Sequence, residues 1–316
     1  MTRRIRAGVV GVGYLGRHHA RIWSGLPGVR LAGVVDLDTE RAAEVAGKYD
    51  ASRFASIDEL AREIDVASVA TPTATHEDCA APLLERGVAV LVEKPIAPDM
   101  KSGTRMRDLA ARSGAPLMVG HTERFHPAVT GLLERVSRPR FVEIHRLAPF
   151  KPRSLDVDVL LDLMIHDLDL CRLIFDRRPV TRFDASGTPA LTDHIDIASV
   201  RVRFEGGAAA NLTASRISGE PVRRVRVFEP GAFVACDTAA NTLSVYRLVR
   251  QADGPRVTTE QVDVPREEPL AREIAAFRDA VTGGTEVPCT AEDGLAALDL
   301  ALRIGEAIEA DLEQNP

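Results

Sequence analysis

An apolar segment, a glycine-rich turn and a helical segment follow one another at the start of this chain. The turn, Gly11–Gly16, has glycine at its first, third and last positions and comes directly after the apolar segment Ile5–Val10. These glycines permit a tight turn, a close approach of a ligand to the backbone, and close packing of the helix on the strand. The pattern is typical of a turn that binds the diphosphate of a dinucleotide at a helix N-terminus. We therefore predict cofactor contacts from Gly11, Gly13, Tyr14, Leu15 and Gly16.

A carboxylate ends the second predicted strand, Leu31–Val35. Asp36 follows the last glycine of the turn by about 20 residues, which is where an acidic side chain accepts hydrogen bonds from the adenosine ribose. A carboxylate there also repels the 2′-phosphate of NADP. We therefore predict NAD as the cofactor, weaker binding of NADP, and a smaller difference between the two in an Asp36→Ala variant. The alternative is a set of turn glycines followed by a helix-capping aspartate.

The first 120 residues alternate apolar strands with helical segments, a pattern typical of a parallel, doubly wound α/β sheet. From Phe141 onward the period of apolar residues changes to two, which predicts a largely antiparallel, open-faced sheet with helices on one face. We expect two domains, 1–120 and 121–316. Beyond the two strands already named, strands are predicted at 66–70, 88–92, 116–119, 141–147, 199–204 and 224–228, and helices at 14–23, 39–46, 77–85, 99–113, 156–175, 269–281 and 291–311.

Composition excludes several functional classes. The 316 residues carry a net charge of −6, which disfavours nucleic acid as a partner. No apolar run approaches the roughly 20 residues of a membrane span, so we expect no membrane association and a cytoplasmic location. The four cysteines are far apart in the sequence, which predicts neither a zinc site nor a disulfide framework.

Two polar segments follow later strands of the first domain. Thr71 and Pro72, with His76 shortly after them, follow one strand, and Glu93 and Lys94 follow the next. Because parallel sheets bind ligands at the carboxyl ends of their strands, we predict that all five residues contact the cofactor. Taken alone, His76 is more typical of a packed helix start, and Glu93 and Lys94 of a solvated ion pair.

A second group of residues that could take part in catalysis lies in the predicted helix at 156–175. Asp162 and His166 are four residues apart and therefore share one helical face, where the carboxylate would orient the imidazole of a general base. Two alternatives remain open from the residues themselves. Asp158 and Asp169 lie near the same stripe and suit a divalent metal, and an Asp–His pair is also common as a purely structural feature.

The combination of these motifs, and their order along the whole chain, resembles that of the Gfo/Idh/MocA oxidoreductase family. The resemblance implies an N-terminal Rossmann domain, an open-faced second domain, and catalysis by Lys94, Asp162 and His166 without a metal. His166 would remove a hydroxyl proton as hydride leaves for the nicotinamide, Lys94 would bond the reacting oxygen, and Asp162 would position His166. It also implies a cis peptide between Lys94 and Pro95, and a homodimer or homotetramer formed through the open sheet face.

Two strings, 120–125 and 162–169, are similar to the UDP-N-acetylglucosamine 3-dehydrogenase branch of the family. This similarity implies a UDP-sugar that is oxidised at its 3-hydroxyl. Substrate contacts are then expected from Lys94, Glu123, Arg124, Asp162 and His166. Arg146, Lys151 and Arg153 offer cations for the diphosphate, and of these we predict Arg153 as a contact. The alternatives are a dehydrogenase of a free sugar or inositol, and a non-catalytic dinucleotide-binding sensor.

Overall fold

The structure is a computed structural model that describes residues 4–150, 157–252 and 254–315. It divides into two compact units. The first unit comprises Met1–Thr122 and Pro269–Leu298, and the second comprises Glu123–Glu268 and Asp299–Pro316. In the part of the chain that the structure describes, no helix is both long enough and apolar enough to cross a membrane.

The first unit contains a six-stranded parallel sheet in the order β3-β2-β1-β4-β5-β6. All four residues of the central strand β4 are buried, as expected for a sheet covered on both faces. This confirms the predicted doubly wound fold. The short edge strand β3 was not predicted. The strands are β1 (Ile5–Val10), β2 (Val29–Val35), β3 (Ser52–Arg53), β4 (Val66–Val69), β5 (Ala89–Glu93) and β6 (Leu117–Gly120).

Helices connect these strands, and side-chain caps start three of them. Asp38, Ser56 and Asp99 each accept a hydrogen bond from a backbone amide three residues later, at 3.0, 3.2 and 2.8 Å. Such caps satisfy amides that have no partner within the helix. The helices are α1 (Gly16–Gly25), α2 (Thr39–Lys48), α3 (Ile57–Ala61), α4 (His76–Glu85) and α5 (Met100–Ser113).

The second unit contains an eight-stranded sheet in the order β14-β13-β12-β11-β7-β10-β9-β8. Among the described residues of this sheet, only β7 and β10 pair in parallel, so the prediction of a largely antiparallel sheet is confirmed. The strands are β7 (Phe141–Leu147), β8 (Val180–Thr188), β9 (Ile197–Phe204), β10 (Ala209–Ser215), β11 (Val222–Glu229), β12 (Ala232–Asp237), β13 (Thr242–Gln251) and β14 (Gly254–Val262).

The two faces of this sheet differ in polarity because side chains alternate along each strand. In β11, Val225 and Val227 are buried in the core, whereas Arg224 and Arg226 lie on the opposite, open face. Helices α6 (Pro127–Leu133), α7 (Ile165–Ile174) and the later part of α9 (Ala291–Gln314) contribute to the core. A π-helical turn, Leu160–Met164, leads directly into α7.

The units divide the chain differently from the predicted domains, 1–120 and 121–316. The first boundary differs by two residues, but residues 269–298 belong to the first unit. In this segment, α8 (Pro269–Gly283) buries Ile274 and Phe277 completely. The amide of Val119 donates to the Cys289 carbonyl at 3.0 Å, next to the last strand of the parallel sheet. Backbone pairing and apolar packing therefore return this late segment to the first unit.

Candidate active site

The glycine turn after β1 is closely packed at both ends and open in the middle. Gly11 has a φ of +80°, which only glycine adopts readily, and a Cβ on Gly16 would lie 1.8 Å from the Gly11 carbonyl oxygen. A Cβ on Gly13 would meet no atom of the described residues within 4 Å. Among those residues, no side chain caps the start of α1. The turn therefore presents helix amides to open space, as the diphosphate of a dinucleotide requires.

A crevice of about 580 Å³ lies beside this turn. Five predicted contacts line it, namely Gly11, Gly13, Asp36, Thr71 and Pro72. Arg41, which was not predicted, lines it as well. Nearby, Tyr14 is 74% exposed and Leu15 is 37% exposed, although both are large and apolar. The volume, the glycine turn and the carboxylate together fit NAD.

Asp36 is held by four donors at the crevice. Its Oδ2 accepts from the Val12 amide at 2.7 Å, and its Oδ1 accepts from the Asp38 amide at 2.9 Å. The Arg41 guanidinium donates to both oxygens, from Nε at 3.3 Å and from Nη2 at 2.7 Å. Burial raises the pKa of Asp36, but the Arg41 and amide hydrogen bonds outweigh it, so the pKa lies below its ordinary value. The carboxylate is therefore ionised at neutral pH.

His76 joins the two loops that follow β4 and β5. Its Nδ1 lies 3.0 Å from the Pro95 carbonyl oxygen, and its Nε2 lies 3.0 Å from the Thr71 carbonyl oxygen. The side chain is only 1% exposed, and burial lowers its pKa. These contacts give His76 a role in holding the crevice loops together, whereas its direct contact with a cofactor stays a prediction.

Glu93 and Lys94 lie where β5 ends. Glu93 is buried, and its Oε1 lies 2.9 Å from Nε2 of His19, a fully buried residue of α1 that no sequence motif marks. Lys94 is half-buried, and the Lys94–Pro95 peptide is cis, as the resemblance implies. The first unit thus places both residues at the carboxyl edge of the parallel sheet, the edge at which the glycine turn also lies.

In the second unit, Asp162 lies in the π-helical turn and His166 in the first turn of α7. Both are half-buried, and the surrounding Leu160, Met164 and Leu168 are fully buried. The prediction of a regular helix over 156–175 is therefore corrected, and Asp156 lies outside the described residues. A π-helical turn inserts an extra residue and is frequent at functional sites, but its sequence carries no periodic signal.

Buried arginines bind the other carboxylates of α7. Arg124 donates from Nε and Nη2 to the two oxygens of Asp169 at 2.6 and 2.5 Å, and both side chains are at most 5% exposed. Arg146 donates to Asp167 at 2.7 Å and to Glu123 at 3.1 Å. Burial raises the pKa of Glu123, but Arg146 outweighs it, so the pKa is below its ordinary value.

These ion pairs bear on several predicted roles. Asp169 is engaged by Arg124, which argues against the metal alternative, and no metal-binding group of three side chains occurs within residues 4–150, 157–252 and 254–315. Arg146, expected as a cation for a diphosphate, instead pairs with Glu123 and Asp167. The pairs of Glu123 and Arg124 fix the position of α7, and their contact with substrate stays a prediction. Lys151 and Arg153 lie outside the described residues.

A further buried network supports the segment before the π-helical turn. Arg216 donates from Nη1 to the Val157 carbonyl at 2.7 Å and from Nε to Asp196 at 2.7 Å. Asp196 also accepts three backbone amides, those of residues 190–192, at 2.6 to 2.9 Å. Burial opposes ionisation of Asp196, but these donors hold its pKa well below its usual range. This network leaves no signal in the sequence, because its members are distant in sequence and each looks like an ordinary loop residue.

Both units contain segments that match known protein families. Residues 5–121 match the family described as "Oxidoreductase family, NAD-binding Rossmann fold", and residues 136–229 match the "GFO/IDH/MocA C-terminal domain". UDP-N-acetylglucosamine 3-dehydrogenase of Acidithiobacillus ferrooxidans is 41% identical over 313 residues, which cover 98% of this chain and 99% of that enzyme. A solved structure of the enzyme of that name from the same organism gives a TM-score of 0.91 at 39% identity, covering 97% of this chain and 98% of that one.

A second relative has a different named substrate. Inositol 2-dehydrogenase of Rhizobium meliloti is 30% identical over 315 residues, which cover 94% of each chain. The family matches confirm the predicted cofactor and the predicted enzyme class. The chain belongs to the Gfo/Idh/MocA family of oxidoreductases, and its first unit is an NAD-binding Rossmann domain.

Proposed function

We propose that this protein oxidises the 3-hydroxyl of a UDP-sugar such as UDP-N-acetylglucosamine to a ketone, with NAD as the hydride acceptor. The observation that carries the proposal is the 41% identity to UDP-N-acetylglucosamine 3-dehydrogenase over nearly the full length of both chains. A dehydrogenase of a free sugar or inositol is the second candidate, because inositol 2-dehydrogenase is also similar over 94% of this chain.

The proposed catalytic residues are Lys94, Asp162 and His166. Bound NAD supplies a nicotinamide ring that accepts hydride from the sugar carbon. His166 takes the proton of the reacting hydroxyl, and Asp162 orients the imidazole and stabilises its charged form. Lys94 donates a hydrogen bond to the substrate oxygen, where negative charge develops as the proton leaves. The half-buried state of all three side chains supports this proposal, since each is shielded yet accessible to a ligand.

The ion pairs beneath α7 support the same assignment. Asp167 and Asp169 follow His166 by one and three residues; Arg146 holds one oxygen of Asp167, and Arg124 holds both oxygens of Asp169. A buried, bidentate arginine–carboxylate pair fixes geometry as well as charge. The helix that carries His166 is therefore held at two neighbouring positions, which suits a proton acceptor whose ring must keep one orientation.

A substrate screen tests the proposal. We expect NADH to form with UDP-N-acetylglucosamine and to form more slowly, or not at all, with free hexoses and inositols. Absorbance of NADH gives the rate, and mass spectrometry of the product locates the new ketone. Turnover of free inositol alone would favour the second candidate. An absence of turnover, together with intact NAD binding, would favour the non-catalytic sensor and contradict the proposal.

We also propose that the protein is cytoplasmic and assembles as a homodimer or homotetramer through the open face of the second sheet. Four aromatic side chains form a continuous row across β7, β11, β12 and β13 on this face: Phe141, Phe228, Phe233 and Tyr246. The Phe228 and Phe233 rings lie 5.3 Å apart, and the Phe233 and Tyr246 rings lie 4.1 Å apart. Aromatic side chains are enriched at the centres of protein interfaces.

Sedimentation of a charged variant tests the assembly. We expect Phe228→Glu to shift the protein toward the monomer, because a carboxylate in the aromatic row would be desolvated by a partner. Leu191→Glu is the matched control, since Leu191 is a 63% exposed apolar residue in the loop before β9. A monomeric unmodified protein at micromolar concentration would refute the proposal, as would equal dissociation of both variants.

A further inference from the structure

The Asp36 carboxylate has no acceptor position left for a ribose hydroxyl. Two carboxylate oxygens offer about four lone-pair sites. Four donors already occupy them, namely the amides of Val12 and Asp38 and two nitrogens of Arg41. If Asp36 is to accept a hydrogen bond from the adenosine ribose, one of these donors has to leave.

Only Arg41 is able to leave at low cost. The two amides belong to the backbone that joins β1 to α1 and β2 to α2, so their positions are fixed by the sheet. The Arg41 side chain is 36% exposed, whereas that of Asp36 is 6% exposed. Arg41 has a second partner in Asp38, whose Oδ2 lies 3.2 Å from Nη1. A rotation of the guanidinium away from Asp36 would therefore keep one of its ion pairs.

We propose that Arg41 sets the cofactor selectivity of the crevice by competing with the ribose for Asp36 and by offering a cation to a 2′-phosphate. Both effects lower the discrimination between NAD and NADP. Displacement of Arg41 opposes NAD binding, because a charged hydrogen bond is broken as the ribose hydroxyl bond forms. A 2′-phosphate gains instead, since a guanidinium that already lines the crevice binds phosphate in a bidentate manner.

This inference goes beyond the proposed reaction and rests only on the cofactor domain. It does not depend on which sugar is oxidised, so binding of the dinucleotide is measured without any substrate. The failure of the sugar assignment would leave the selectivity result unchanged. Equally, a failure of the selectivity result would leave the sugar assignment unchanged.

Titration calorimetry with NADH and NADPH tests the role of Arg41. We expect Arg41→Ala to raise the ratio of the NADPH and NADH dissociation constants about tenfold or more. NADPH should bind more weakly, and NADH should bind equally or more tightly. Arg41→Lys should have a smaller effect, because lysine keeps the charge but lacks the planar fork. The Asp38 cap of α2 survives both changes, since it accepts from the backbone amide of Arg41 at 3.0 Å.

Two further variants separate the two effects. In an Asp36→Ala background, Arg41→Ala should no longer improve NADH binding, because the carboxylate for which the two groups compete is gone. It should still weaken NADPH binding. Arg86→Ala is the matched control, since the Arg86 side chain is about as exposed as that of Arg41, pairs with a surface carboxylate, Asp58, at 3.3 Å, and does not line the crevice.

Two results would overturn the inference. One is a ratio in Arg41→Ala within about threefold of the unmodified protein, provided that thermal unfolding shows the variant to be folded. The other is an equal weakening of NADH and NADPH, which would make Arg41 a general cofactor contact. If Arg41→Ala does not fold, the ratio of the NADPH and NADH dissociation constants is measured in Arg41→Lys instead. An unchanged ratio in that variant would also contradict the inference.

Discussion

Replacement of His166 by alanine is expected to lower turnover about a hundredfold or more while the affinity for NAD stays nearly unchanged. A positioned base contributes to the rate by removing a proton in the transition state, and His166 is not among the residues that line the dinucleotide crevice. Steady-state kinetics with the substrate found by the screen, combined with calorimetry for NAD, measures both quantities. His194→Ala is the control, because His194 is an exposed residue in the loop before β9.

The rate–pH profile gives a second measure of the same assignment. Turnover should rise with pH as His166 loses its proton, and Asp162→Asn should move this limb to lower pH, because the carboxylate favours the charged imidazole. Lys94→Ala should lower turnover more than it weakens substrate binding. If His166→Ala keeps near-native turnover, the Asp162–His166 pair is structural. His121 and His126, which lie on either side of the chain boundary between residues 122 and 123, would then be the next candidates for the base.

Replacement of Asp196 by alanine is expected to destabilise the second unit by about 3–5 kcal/mol. The change leaves the guanidinium of Arg216 buried without its carboxylate, and it removes the acceptor of three backbone amides. Urea unfolding followed by circular dichroism measures the loss. Fluorescence would be uninformative, because the one tryptophan, Trp23, belongs to the first unit. Asp184→Ala is the matched control, since Asp184 is an exposed residue of β8.

The sign of the pH dependence of stability follows from the pKa of Asp196. This pKa is lowered in the folded protein, so the folded state favours the ionised carboxylate. Its contribution to stability is complete above the unfolded pKa of about 4 and is lost as the pH falls toward the folded value. The difference in the free energy of unfolding between Asp196→Asn and the unmodified protein should therefore be smallest in acid. A difference between the two that is constant from neutral pH to pH of about 3 would contradict this role.

Most of the first unit was predictable because its signals are local. Glycine is favoured where φ is positive, an aspartate caps the helix that follows it, and an apolar run of four to six residues makes a buried strand. These signals predicted β1, β2, β4, β5 and β6 within about two residues, together with the crevice residues Gly11, Gly13 and Asp36. The exposed edge strand Ser52–Arg53 has two residues and no apolar pattern, so it left no signal.

The second unit was less predictable because its strands are long, partly exposed and paired with distant segments. β8 and β14 are polar for most of their length, and β13 is exposed over its second half. Their backbone pairing, rather than their side-chain pattern, makes them strands. The π-helical turn that carries Asp162 also has no sequence signature, because a single inserted residue does not alter the apolar stripe of a short helix.

The sequence by itself determined the fold class and the glycine turn, and it predicts Asp36 as the ribose contact and Asp162 with His166 as an acid–base pair. Each of these depends on the chemistry of a few neighbouring residues. Only the tertiary structure decided which partners the charged side chains take. Arg124 pairs with Asp169, Arg146 with Asp167 and Glu123, and Arg216 with Asp196, across separations of 20 to 45 residues. In a chain rich in arginine, local sequence does not distinguish these guanidinium groups from solvated ones, because burial and partner geometry arise only when the chain has folded.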